Sequence, residues 1–143
     1  MINPKPVILL AEDDDNDVFF MRRALQKSQI DFLLQVVTDG QQATDYLSGH
    51  GDFSNREKHP LPTVILLDLK MPFLDGFEVL TWIRAQAAFK ATPVAVLTSS
   101  AEERDRRRAR ELGACAYFVK PPKPETIQEI GRLIQEPQQR AVN

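Results

Sequence analysis

Cysteine occurs once in the 143-residue chain, at Cys115, so no intramolecular disulfide framework can form, which suits a reducing compartment. Cys115 is expected to be a small buried residue. Long apolar runs are missing too. The stretch 7–11 is too short for a signal sequence or a membrane span, and the residues before it carry no basic leader, so we expect a cytosolic protein without membrane contact. Neither charge dominates: 18 basic residues face 20 acidic ones, for a formal net charge of −2. Nothing in that balance calls for nucleic acid. With 43% hydrophobic residues, the length suits one compact domain with its own core and leaves no room for a second. We expect residues 1–143 to form that domain, with a folded core over about 5–135 and a polar, frayed C-terminal tail.

What is present is a repeated alternation. Residues 7–11 are continuously apolar, as in a strand covered on both faces, and stop at Glu12-Asp13-Asp14-Asp15. A helix is predicted over 17–29, a strand over 32–37 and a short helix over 41–47. Residues 48–62 hold glycines, prolines and both histidines without an apolar period, an unusually long loop. A strand over 63–67 ends at Asp68, and a helix follows Asp75-Gly76. A strand over 93–97 ends at Thr98, and Ser100 with Glu103 suggests a capping box for the next helix. A strand over 116–119 ends at Lys120, with a last helix over 125–135. Five such alternations imply an α/β fold: a doubly wound five-stranded parallel sheet with helices on both faces.

In such folds the binding crevice lies beyond the carboxyl ends of the strands, which here carry Glu12, Asp13, Asp68, Thr98 and Lys120. Carboxylates about 4 Å apart repel by roughly 4 kcal/mol at an effective dielectric near 20, so the cluster needs compensation. A hard dication with oxygen ligands supplies it best, Mg²⁺ fitting better than zinc, and Lys120 neutralises part of the remainder. A carboxylate beside such an ion and a fixed ammonium is a plausible phosphoryl acceptor, with Asp68 central.

These residues, in this order, resemble the receiver domains of two-component response regulators over nearly the whole chain. The resemblance covers the acidic pair Glu12-Asp13, the run from Leu67 through Asp68 and Pro72 to Gly76, the hydroxyl of Thr98, and Lys120 before proline. It implies sheet order 2-1-3-4-5, Asp68 as phospho-acceptor, and Mg²⁺ held by Asp13, Asp68, the Lys70 backbone carbonyl and, through water, Glu12. It further implies Thr98 and Tyr117 as switch residues and a cis Lys120–Pro121 bond. The implied partners are a sensor histidine kinase or histidine phosphotransfer protein, then a downstream protein or a second copy of the chain. The long loop, the start at the first strand and the lack of an output domain most resemble the small stand-alone regulators related to the cyanobacterial phytochrome response regulator.

Blander readings compete at several positions. Glu12 to Asp15 could merely cap the first helix, and Ser100 is expected only to cap. Tyr117 could be plain core, and the two histidines lack metal-type spacing and are expected to be solvated. The arginines between Arg104 and Arg110 are balanced by acids, with Glu102–Arg106 and Glu103–Arg107 expected as i,i+4 pairs on a solvent-facing, lightly anchored helix. An aspartyl-phosphate hydrolase would need a second acid where Lys70 stands. A flavin-binding protein would need a phosphate loop where the acidic run stands. A phosphorylation-independent interaction module would leave the acid, hydroxyl and lysine set without a purpose.

Overall fold

A computed structural model describes residues 5–135; the tail expected to fray lies outside the described residues. Strands β1 (Val7–Ala11), β2 (Leu33–Val37), β3 (Val64–Leu67), β4 (Val94–Thr98) and β5 (Ala116–Val119) form one parallel sheet in the order β2-β1-β3-β4-β5. The three inner strands, β1, β3 and β4, are buried along their full length. That burial on both faces is why their sequences are unbroken apolar runs, not alternating ones.

Helices α1 (Asp15–Gln26), α2 (Gly40–Ser48), α3 (Gly76–Ala85), α4 (Glu103–Glu111) and α5 (Pro124–Gln135) follow the strands in turn. Successive strand residues point to opposite faces. Leu9, Ala11, Ile65 and Leu67 therefore pack with Ala43 and Leu47 of α2 and Val79 and Ile83 of α3. Ile8, Leu10, Val64 and Leu66 pack on the other face with Met21 and Leu25 of α1 and Ile127, Ile130 and Leu133 of α5. Each such Leu or Ile contributes about 1.5–3 kcal/mol on burial, so both faces hold the strand ends rigidly. By contrast, α4 buries only Ala109 and is as lightly anchored as its sequence suggests.

Several local expectations need correction. Helix α1 begins at Asp15 and ends at Gln26, because Asp14 takes the cap position and accepts hydrogen bonds from the Asn16 and Asp17 amides. The capping box at Ser100 does not form. Helix α4 starts at Glu103 after Glu102, while the Ser100 hydroxyl donates to Asp105 Oδ2 at 2.6 Å. Arg104 pairs with Glu102, Arg106 lies over the Tyr117 ring, and no Glu103–Arg107 ion pair forms among the described residues. Cys115 is half-buried at the edge of the core.

The loop over 48–62 contains only a short 3-10 turn, Gly51–Phe53, yet it is tied down. Arg56 donates to the carbonyls of Tyr46, Leu47 and His59, and the Tyr46 hydroxyl donates to Pro60 at 2.6 Å. His50 is exposed as expected, but His59 is not: its ring sits edge-on to Tyr46 and Phe53, and its Nδ1 is buried without a hydrogen-bond partner.

Candidate functional site

Register brings the strand ends level: Ala11 pairs with Leu67, Leu67 with Val96, and Thr98 with Val119. The next residues leave the same edge with their backbones still fixed. Glu12 N donates to Val37 O at 2.9 Å, Asp68 N to Ala11 O at 3.1 Å, and Lys120 N to Thr98 O at 2.8 Å. Gly76 lets α3 begin directly against this edge, since a Cβ there would overlap the Asp68 carbonyl oxygen and crowd Leu69 Cα. The acidic run after β1 thus divides its duties, with Asp14 capping α1 while Glu12 and Asp13 face the edge.

Glu12, Asp13 and Asp68 each offer a carboxylate oxygen within 4.8 Å of the others. Asp13 is exposed, whereas Glu12 and Asp68 are 1% and 6% exposed. Lys120 enters from the end of β5. Its Nζ lies 2.5 Å from Glu12 Oε1 and donates to Asp17 Oδ2 at 2.7 Å and Asp68 Oδ2 at 3.0 Å. The Glu12 contact is an ion pair, and Oε1 has no hydrogen-bond partner.

Charge does not balance here. Four carboxylates (Glu12, Asp13, Asp17, Asp68) gather about one ammonium, so the fully ionised site carries surplus negative charge. Burial, aided by the charge of Asp68, pushes the Glu12 carboxyl up to about 7 against the lowering contacts of Lys120 and the Asp14 amide. Burial alone would lower the Lys120 ammonium, but its contacts with the Asp17 and Glu12 carboxylates and the charge of Asp68 raise it above its ordinary value. An oxygen-only donor set with surplus negative charge and an orphaned buried oxygen suits a hard divalent cation that retains water.

The remaining sequence candidates surround this cluster. Thr98 is fully buried, and its hydroxyl accepts a long 3.5 Å contact from Ser100 N. Tyr117 is half-buried; its hydroxyl donates to Ser100 O at 2.9 Å, and burial raises its pKa. Lys70 is exposed, its amide 3.4 Å from Asp68 Oδ1, and with Asp13, Ser100 and Arg104 it lines a cleft of about 580 Å³ opening beside the carboxylates. The Lys120–Pro121 bond is cis. Asp17 was missed by sequence reasoning, because in the first turn of α1 it reads as an acid placed for the helix dipole.

A family model described as the response regulator receiver domain matches residues 8–132. The chain belongs to the response-regulator receiver family. It is 36% identical over 133 residues to the response regulator Rcp1 of Synechocystis sp., covering 93% of this chain and 86% of Rcp1. The Mn²⁺-bound form of Rcp1 superposes with a TM-score of 0.76 at 35% identity over 93% of this chain and 94% of that one. The phosphorylated cyanobacterial phytochrome response regulator RcpA gives a TM-score of 0.78 at 31% identity and 91% coverage of both chains. The bacteriophytochrome response regulator AtBRR gives 0.82 at 38% identity, covering 93% of this chain and 94% of that one. Receivers take phosphoryl groups from histidine kinases and bind a divalent metal, and the acidic cluster of this receiver is suited to one. No helix among its described residues is long and apolar enough to cross a membrane.

Proposed function

We propose that this receiver acts as a cytoplasmic switch and that Asp68 accepts a phosphoryl group in a Mg²⁺-dependent reaction. The donor is a phosphohistidine on a sensor kinase or histidine phosphotransfer protein. The observation that carries the reading is the convergence of Asp68 with Glu12 and Asp13, each offering an oxygen within 4.8 Å of the others, and with Lys120, which pairs with Glu12 and Asp68.

Within that site, Asp68 Oδ2 is paired to Lys120, while Oδ1 accepts only the long 3.4 Å contact from Lys70 N. Oδ1 is the oxygen left free to attack phosphorus. A new O–P bond forms as the N–P bond to the donor histidine breaks, and the imidazole leaves with its electron pair. Asp13, Asp68 and the Lys70 carbonyl would hold Mg²⁺ directly and Glu12 through water; when bound, that ion offsets the charge of the transferred group. Lys120 keeps the acceptor oriented and faces the incoming oxygens.

Phosphorylation then draws the buried Thr98 hydroxyl towards the phosphoryl oxygens, which disturbs Ser100 and hence its bond from Tyr117. Because α4 buries only Ala109, a small change at Ser100 and Tyr117 suffices to bias it. The signal leaves through the surface of α4, β5 and α5, to a downstream protein or a second copy of the chain. Hydrolysis of the phosphoryl group is slow and self-assisted. Phosphotransfer from candidate histidine kinases to wild type and Asp68→Asn, with and without chelator, tests the reading. Label should pass only to wild type with metal present; equal labelling of Asp68→Asn would overturn it.

A further inference from the structure

An ammonium has three N–H groups to give. Lys120 faces three carboxylates, with an ion pair to Glu12 at 2.5 Å and hydrogen bonds to Asp17 at 2.7 Å and Asp68 at 3.0 Å. These three carboxylates surround the ammonium, so an oxygen of a phosphoryl group carried by Asp68 must compete with them for it. One partner must therefore withdraw when that group arrives. Asp68 cannot, since it bears the group. The Glu12 side chain is 2% exposed, so moving it off its cation would strand a buried charge, a costly outcome. The Asp17 side chain is 33% exposed, and water can take over its hydrogen bond. A cavity of about 250 Å³ beside the Asp17–Lys120 pair, bounded by Phe20, Leu97, Ser99 and Pro121, gives it room to turn.

We propose that Asp17 is a positioning residue that parks the Lys120 ammonium in the unphosphorylated receiver and yields it to the phosphoryl oxygen on Asp68. The inference rests on the role proposed for Asp68 above. No covalent step is involved: one hydrogen bond, Nζ to Asp17 Oδ2, is exchanged for one to a phosphoryl oxygen, and Asp17 becomes hydrated. Asp17 thereby competes with the phosphoryl group and sets how strongly the site holds it.

The test is the affinity for beryllofluoride, a phosphoryl mimic, measured by titration calorimetry on the full chain with Mg²⁺ present. A part-exposed ion pair of this kind converts to about a two- to fivefold effect. Asp17→Asn and Asp17→Ala should each bind beryllofluoride tighter by about that factor, and Asp17→Glu should return towards wild type. Asp15→Asn removes the same charge from the same exposed helical turn without touching Lys120, and should leave affinity unchanged. In a Lys120→Met background, titrated at correspondingly higher beryllofluoride, Asp17→Asn should have no further effect. Equal affinities for wild type and both Asp17 variants would overturn the proposal. So would an Asp17→Asn effect that persists without Lys120 or is matched by Asp15→Asn, since that is charge acting through space. Failure of wild type itself to bind beryllofluoride would instead remove the underlying reading of Asp68, and this inference with it.

Discussion

The raised carboxyl of Glu12 should make divalent-metal binding depend on pH around neutrality. Burial, reinforced by Asp68, moves this group from an ordinary 4.5 to about 7 in the metal-free chain. The cost of ionising it in the folded state is then about 3 kcal/mol. Because the folded value lies above the unfolded one, the protonated carboxyl's contribution to stability is complete below about pH 4.5. That contribution is lost as pH rises through about 7. A divalent ion needs the carboxylate form, so the proton must leave as the ion arrives. With half-titration near 7, about one tenth of the chains are ready at pH 6 and about nine tenths at pH 8. Apparent Mg²⁺ affinity should therefore rise about tenfold across that interval. Calorimetry in two buffers of different ionisation enthalpy would also count about half a proton released at neutral pH. Glu12→Gln should flatten the profile. A flat wild-type profile with no buffer dependence would refute the reasoning.

Three further outcomes are expected. Phe73 holds a left-handed φ of 70° while 83% exposed, so Phe73→Asn loses little burial and relieves about 1 kcal/mol of backbone strain, raising Tm by a few degrees; a lower Tm would contradict this. Gly76→Ala drives a methyl into the Asp68 carbonyl, so denaturant unfolding should show a loss of about 1–3 kcal/mol together with weakened Mg²⁺ binding, and unchanged values would refute the close approach. Lys70→Ala removes the exposed cation lining the cleft beside Asp13 and should change the dephosphorylation rate severalfold, a barrier change of about 1 kcal/mol; an unaltered half-life would count against it.

The sheet was legible because burial on both faces leaves its mark within a single strand: β1, β3 and β4 are unbroken apolar runs, each ending at the residue that carries chemistry. The acids and Thr98 followed from where those runs stop, and Lys120 from the end of the short apolar strand β5. What escaped depends on residues far apart in the chain. The Asp17–Lys120 bond spans 103 positions, and nothing local distinguishes Asp17 from an acid placed for the helix dipole. Ser100 had a local pattern for capping, yet α4 starts at Glu103, two residues too late for it; its hydroxyl accepts from Glu102 N at 3.3 Å and donates to Asp105. His59 looked solvated because its loop is polar. Its burial comes from Arg56 drawing the loop onto the end of α2, where Tyr46 and Phe53 wait.

The claim on which the account depends is that Asp68 is the covalent acceptor. Borohydride reduces an acyl phosphate on aspartate to homoserine, so the receiver can be incubated with acetyl phosphate and Mg²⁺, reduced, digested and sequenced by mass spectrometry. Homoserine should appear at position 68, and should vanish when chelator replaces Mg²⁺. Homoserine at position 13 instead, the one-carbon-longer alcohol 2-amino-5-hydroxypentanoic acid at Glu12, or no reduced residue at any of the three while the protein still carries phosphate, would contradict the account.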